Sequence, residues 1–138
     1  MALSAMVARP VVELLLLTRG PPGTHDLKLA KNLIARLGEA GATALPRFDK
    51  QRDDRLPQAQ WPMFNAPASV VILEGWCVGA LPQAADDLQG PLNLLEAEED
   101  AEGIWRNHVN KALAGPYQTL FARIDVLFLL AAPDPVPG

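Results

Sequence analysis

Two stretches of the chain place their apolar residues at helical spacing. The first predicts a helix over residues 24–41, which Thr24 caps and Gly41 closes. The second predicts a longer helix over about 101–123, which follows an acidic stretch. Prolines and glycines separate these stretches from the rest of the chain, so we expect loops between them.

Two other runs, 69–73 and 125–130, are almost continuously apolar and show no alternation. Such runs are typical of strands that are covered on both faces, and a short third strand is predicted at 43–45. Helices that alternate with apolar strands indicate an α/β fold in which helices flank a parallel sheet. Because three strands are few for such a sheet, we expect the sheet to be incomplete.

The segment 4–18 also predicts a helix, and its apolar run is interrupted by Glu13. The run is far shorter than the ~20 residues that span a bilayer, and a poor cleavage site follows it. We therefore favour a buried helix over a signal sequence or membrane anchor.

Length and composition limit the classes of function. The chain has 138 residues, which fits one domain. Its net charge of −4 argues against a nucleic-acid partner, since phosphate binding needs a concentrated positive surface. Cys77 is the only cysteine, so an intrachain disulfide is excluded and a reducing cytoplasm is the expected location.

Glu74 follows the apolar run 69–73 and precedes Gly75 and Trp76. Ligands bind at the carboxyl ends of strands in open α/β sheets, so Glu74 could lie near a nucleotide-bound Mg²⁺ and contact it through water. The alternative is that the side chain simply emerges into solvent where the strand ends.

A loop rich in arginine follows the predicted strand at 43–45. Arg47, Lys50, Arg52 and Arg55 lie within nine residues of each other, and arginine binds carboxylates and phosphates through its planar fork. The loop could therefore hold an anionic substrate, with Arg47, Lys50 and Arg55 as candidate ligands. Acidic residues nearly match the basic ones, so a solvated loop of weak ion pairs is the alternative.

The glycine-rich segment 19–26 contains His25 and Asp26 at the start of a predicted helix. Helix starts bind anions through free N–H groups, but two prolines remove donors here. His25 could contact a substrate or transfer a proton, and an ordinary capped helix start is the alternative. The sequence contains no Gly-x-x-x-x-Gly-Lys-Ser/Thr, so no ATP phosphate loop is recognisable.

Two further features favour structural interpretations. The acidic stretch 96–100 is interpreted as a solvated helix start rather than a metal site. His108 lies on the apolar stripe of its helix and is interpreted as a packed core residue.

Four short segments resemble, in order, D-glycerate 3-kinases and the kinase-like proteins close to them. The segments are 18–26 (Thr-Arg-Gly-Pro-Pro-Gly-Thr-His-Asp), 46–50 (Pro-Arg-Phe-Asp-Lys), 73–79 (Leu-Glu-Gly-Trp-Cys-Val-Gly) and 93–96 (Asn-Leu-Leu-Glu), followed by Trp105. This family is similar in fold to uridine kinase, phosphoribulokinase and pantothenate kinase, which are P-loop enzymes. The resemblance implies a partial P-loop fold of three layers, with ATP and Mg²⁺ as cofactors.

The resemblance also implies roles for individual residues. Glu74 would match the strand-end acid near Mg²⁺, Arg47 and Lys50 the basic residues of the substrate loop, and His25 with Asp26 a segment lining the acceptor pocket. The family's phosphate loop, catalytic base and lid arginines have no counterpart in this sequence. We therefore expect one incomplete domain over 1–138, which is inactive or nearly so alone.

These observations leave three functional hypotheses. The first is a kinase that, in its complete form, transfers the ATP γ-phosphoryl group to a small hydroxy acid such as D-glycerate. The second is an anion- or partner-binding remnant without ATP chemistry. The third is a kinase assembled with a second chain, or by self-association, that completes the sheet.

Overall fold

The first helix of the structure forms where the spacing predicts it. The computed structural model describes residues 20–131, and the helix predicted over 4–18 lies outside them. Helix α1 spans Leu27–Leu37. Its N-cap is Asp26, whose carboxylate accepts a 2.9 Å hydrogen bond from the Leu29 N–H.

Both predicted boundaries of this helix were wrong, for local reasons. The Thr24 hydroxyl does not cap the helix, because it closes the preceding turn instead: it donates to the Pro21 carbonyl at 2.8 Å and accepts from the Gly20 N–H at 3.1 Å. The helix ends at Gly38, before the predicted Gly41. Gly41 has a φ of +139° and begins the next strand.

The described strands form two small antiparallel sheets. Strand β1 (Gly41–Ala44), which overlaps the predicted strand at 43–45, pairs with β4 (Met63–Ala66), with Gly41 opposite Ala66. Strands β2 (Phe48–Asp49) and β3 (Asp54–Arg55) form a hairpin inside the predicted arginine loop. Within residues 20–131 no parallel sheet is formed, so the predicted parallel arrangement is not confirmed.

The two apolar runs at 69–73 and 125–130 are neither helices nor paired strands, contrary to prediction. Their side chains are exposed, and Ile72 and Leu130 are 87% and 97% accessible. A strand of the buried type needs neighbours to satisfy its backbone groups and layers to cover its faces. The described residues supply neither to these runs.

The C-terminal half is helical but interrupted. A 3₁₀ turn (Ala85–Leu88) precedes α2 (Leu94–Glu99) and α3 (Ile104–Ala112), and a π-helical segment (Leu113–Tyr117) leads into α4 (Gln118–Phe121). The continuous helix predicted over 101–123 is therefore broken, because Gly115 is non-helical and Pro116 has no N–H. Between residues 20 and 131, none of the helices has the length and apolar character needed to cross a membrane.

The acidic stretch 96–100 is not wholly solvated, because Asp100 is buried. Its carboxylate accepts hydrogen bonds from the backbone N–H groups of Trp105 and Arg106, at 2.8 and 3.0 Å, and lies 3.3 Å from the Arg106 guanidinium. Arg106 is itself buried and also donates to the Leu88 carbonyl. This ion pair fixes the start of α3 against the preceding 3₁₀ turn.

A small core joins the N-terminal and C-terminal parts of the chain. Its buried members are Cys77, Leu113 and Tyr117, and Leu27 and Phe121 pack against it together with two alanines. The start of α1, the turn after Trp76 and the C-terminal helices therefore meet at one place. The loop 20–26 lies beside this core.

Candidate functional site

The loop 20–26 is shaped by glycine and by local hydrogen bonds. Gly23 has a φ of +107°, which a residue with a side chain rarely adopts. A methyl group on Gly23 would also lie 3.2 Å from Nε2 of His108. His108 is exposed and lies against this loop, so its prediction as a core residue was wrong: the side of α3 that carries it faces the loop edge rather than the core.

The loop is tied to the core by the hydroxyl of Tyr117, a side chain that is only 2% accessible. The Gly23 N–H donates to this hydroxyl at 2.9 Å, and His25 Nδ1 lies 2.7 Å from it. Burial raises the pKa of Tyr117, although hydrogen bonding from the backbone N–H groups of Gly23 and His25 acts in the opposite direction. The phenol is therefore protonated at neutral pH.

Asp26 and Arg55 join the loop to the β2–β3 hairpin. Arg55 Nη1 lies 2.7 Å from Asp26 Oδ2, and each side chain is roughly half exposed, at 49% and 45% accessible. The pKa of Asp26 is lowered, first by the hydrogen bond from the Leu29 N–H and then by Arg55. The structure thus brings together three of the predicted site residues, because His25 is adjacent to Asp26.

Arg47 and Lys50 lie on the same hairpin as Arg55 but take no part in the ion pair between Asp26 and Arg55. Both side chains are exposed. The Arg47 carbonyl accepts a 2.9 Å bond from the Leu56 N–H, which closes the hairpin, and Lys50 lies in the turn between β2 and β3. The hairpin therefore places exposed basic side chains, interspersed with three aspartates, beside the loop 20–26.

Glu74 is exposed and lies in an irregular segment just before the turn at 76–79. The neighbouring segment approaches the loop 20–26, because a methyl group on Gly20 would lie 3.5 Å from the Trp76 indole nitrogen. Cys77, one residue further, is buried in the core that contains Tyr117, and burial raises the pKa of its thiol. The turn at 76–79, which follows Glu74, is thus near the loop 20–26.

The Mg²⁺ that the resemblance implies would find few protein ligands among the described side chains. Residues 20–131 contain no group of three His, Cys, Asp or Glu side chains that could hold a metal ion. Mg²⁺ bound to a nucleotide takes most of its ligands from phosphates and water and often only one or two carboxylates from protein. Glu74 therefore fits as a single ligand acting through water, and not as part of a complete metal site.

A groove of about 390 Å³ lies elsewhere, between α1 and β1. Its lining includes Leu29, Asn32, Arg36, Thr43, Pro46 and Trp61. None of the predicted site residues lines it. The groove is consequently separate from the cluster of His25, Asp26 and Arg55.

Sequence reasoning did not identify Tyr117 as part of the site. The residue is the only tyrosine of the chain and follows Gly115 and Pro116, within an apolar stripe. The feature of the sequence that could have indicated Tyr117 is a single phenol directly after the Gly-Pro pair that breaks the predicted helix. Its contacts with Gly23 and His25 span 94 and 92 residues, so local patterns cannot reveal them.

Comparison with known proteins supports an ATP-dependent kinase class. The chain is 32% identical over 125 residues to the chloroplastic D-glycerate 3-kinase of Arabidopsis thaliana, a match that covers 85% of this chain and 25% of that protein. It is 30% identical over 122 residues to a probable ATP-dependent kinase of Saccharomyces cerevisiae, covering 76% of this chain and 41% of the relative. No family model and no solved structure matches.

The predicted resemblance to D-glycerate 3-kinase-like proteins is confirmed by these two relatives. Both carry kinase names, and the similarity extends over most of this chain. The chain spans between about a quarter and two fifths of the length of the curated relatives it matches.

Proposed function

We propose that this chain forms the acceptor-binding part of an ATP-dependent kinase that phosphorylates a small hydroxy acid such as D-glycerate. The observation that carries the proposal is the cluster of His25, Asp26 and Arg55, together with the approach of Trp76 to Gly20 in the same loop. His25, Asp26 and Trp76 belong to the segments that resemble the kinase family, and Arg55 lies five residues after the segment 46–50. The similarity to two kinases supports the same class of reaction.

Arg55 is the residue best suited to bind the acceptor's carboxylate. A guanidinium has five N–H donors in a rigid fork, and one nitrogen of Arg55 is engaged by Asp26. The half-exposed side chain can offer its remaining donors to an incoming carboxylate. Arg47 and Lys50 add positive charge on the same hairpin, and Asp26 orients the guanidinium.

ATP would supply the phosphoryl group, and Mg²⁺ would neutralise charge that develops on it during transfer. Glu74 would hold that Mg²⁺ through water. This sequence has no recognisable phosphate loop, so residues outside it would bind the ATP phosphates. In the same assembly, we propose that 69–73 and 125–130 become strands of a parallel P-loop sheet once neighbours cover them.

Calorimetric titration of the chain tests acceptor binding. D-glycerate should bind, and glycerol, which lacks the carboxylate, should bind at least about tenfold more weakly because it cannot pair with Arg55. A separate titration with MgATP should show no comparable binding. Absent binding of D-glycerate, or equal binding of glycerol, would overturn the proposal.

A second candidate is an anion-binding module without ATP chemistry, which the missing phosphate-loop motif favours. The two candidates differ when the chain is co-expressed with the polypeptide of the neighbouring reading frame. A kinase assembly should release ADP from MgATP only when D-glycerate or another hydroxy acid is added. A binding module should retain its anion affinity and release none.

A further inference from the structure

The hydroxyl of Tyr117 contacts two groups of the loop 20–26, the Gly23 N–H and His25 Nδ1. A phenol has one proton to donate and lone pairs that accept. The Gly23 N–H can only donate, so the oxygen of Tyr117 accepts that bond at 2.9 Å. The phenolic proton is then available to a second partner.

Among residues 20–131, His25 Nδ1 is the acceptor in reach of this proton, at 2.7 Å. The two rings meet edge to face, with centroids 5.9 Å apart and an angle of 77°. If His25 donated instead, the phenolic proton would be left without a hydrogen-bond acceptor among residues 20–131. Tyr117 is 2% accessible, so water could not readily satisfy it, and an unsatisfied buried donor costs about 1–3 kcal/mol.

We propose that Tyr117 is a positioning residue, which holds His25 as the neutral tautomer with its proton on Nε2. An Nε2–H group is a donor, and it suits a carboxylate or hydroxyl oxygen of an acceptor. The inference rests on the proposed function only in assigning the loop 20–26 to the acceptor site. The tautomer of His25 does not depend on that function.

The same bonds fix the loop's backbone. Gly23 requires a positive φ, and the bond from its N–H to Tyr117 holds that conformation against α3. Because Tyr117 belongs to the core that includes Cys77, the turn after Glu74 is anchored to the same ring. Tyr117 thus sets the position of both predicted site segments.

Histidine NMR of the isotope-labelled chain tests the tautomer directly. The chain has two histidines, so His108 is an internal control. At a pH where both imidazoles are neutral, His25 should carry its proton on Nε2 almost exclusively. Tyr117→Phe should give a mixture of tautomers at His25, and Phe121→Leu, which alters the same core but keeps the hydroxyl, should not.

D-glycerate affinity of the same variants provides the second readout. Tyr117→Phe should weaken binding by about tenfold, and Phe121→Leu should change it little. A mixture of His25 tautomers in the unmodified chain would overturn the inference, and this measurement does not depend on a variant that folds. An unchanged His25 signal in Tyr117→Phe would overturn it as well. A fixed tautomer in a chain that does not bind D-glycerate supports the assignment of Tyr117 and overturns the proposed function instead.

Discussion

Asp26 links the start of helix α1 to the candidate site at the scale of a single residue. Its carboxylate accepts from the Leu29 N–H and pairs with Arg55. Asp26→Ala should lower the free energy of unfolding by about 1 kcal/mol, because the cap is lost. Asp26→Asn should retain most of that stability, since asparagine caps helices as well as aspartate and the exposed ion pair contributes little.

Urea unfolding of both variants measures this difference. The pH dependence has a defined sign: the folded-state pKa of Asp26 lies below its ordinary value of 3.8, so the charged form stabilises the fold above that pH. That stabilisation is lost as the pH falls through the lower folded-state value. Equal destabilisation by alanine and asparagine would show that the charge, and not the cap, dominates.

Glu74 is the residue that the proposed function places near Mg²⁺. In an assembly that releases ADP, Glu74→Gln should lower turnover by at least about tenfold, because a ligand for charge stabilisation is removed. The free energy of unfolding should not change in Glu74→Gln, since the Glu74 side chain is exposed. Glu102→Gln, at another exposed carboxylate, is the matched control, and unchanged turnover in Glu74→Gln would remove this residue from the mechanism.

At the scale of elements, the buried pair of Asp100 and Arg106 fixes the beginning of α3. Arg106→Met should destabilise the fold by about 3 kcal/mol, because it leaves the Asp100 carboxylate buried without its partner. Lys111→Met, at an exposed position of the same helix, should change stability little. Thermal unfolding compares the two variants, and equal unfolding midpoints would contradict this role for the pair.

The elements that could be predicted from sequence are those set by local interactions. Helix α1 follows from the spacing of its leucines, although Thr24 and Asp26 are both suitable caps and only their contacts distinguish them. The apolar runs at 69–73 and 125–130 have the composition of strands, but a strand forms only with partners that the run itself does not specify. Strand β4 and its antiparallel pairing with β1 were missed for the same reason.

The candidate site shows the same division between local and distant contacts. Residue type and position in the chain suggested His25, Asp26, Arg47, Lys50 and Arg55 as candidates, and their roles stay predictions. The pairing of Asp26 with Arg55 across 29 residues could not be predicted, because no pattern connects the two positions. Tyr117 was missed since its role depends on contacts with residues more than 90 positions away.

At the scale of the whole molecule, the chain exposes many large apolar side chains. Val70, Ile72, Phe128, Leu129 and Leu130 are all more than three quarters accessible. Such a surface favours association with a second chain or with another copy, so we expect concentration-dependent association in sedimentation velocity. Replacing Ile72 and Leu129 with glutamate should reduce this association with no loss of helix by circular dichroism. An unmodified chain that stays monomeric at all concentrations would contradict the expectation.

In the proposed function, the loop 20–26 and the β2–β3 hairpin together bind a small hydroxy acid, and Arg55 is the main ligand. Titration of D-glycerate into Arg55→Ala and Arg52→Ala tests it most directly, because both arginines lie on the hairpin and only Arg55 pairs with Asp26. Arg55→Ala should weaken D-glycerate binding by at least about tenfold, and Arg52→Ala should leave it nearly unchanged. Equal affinities in the two variants would contradict it.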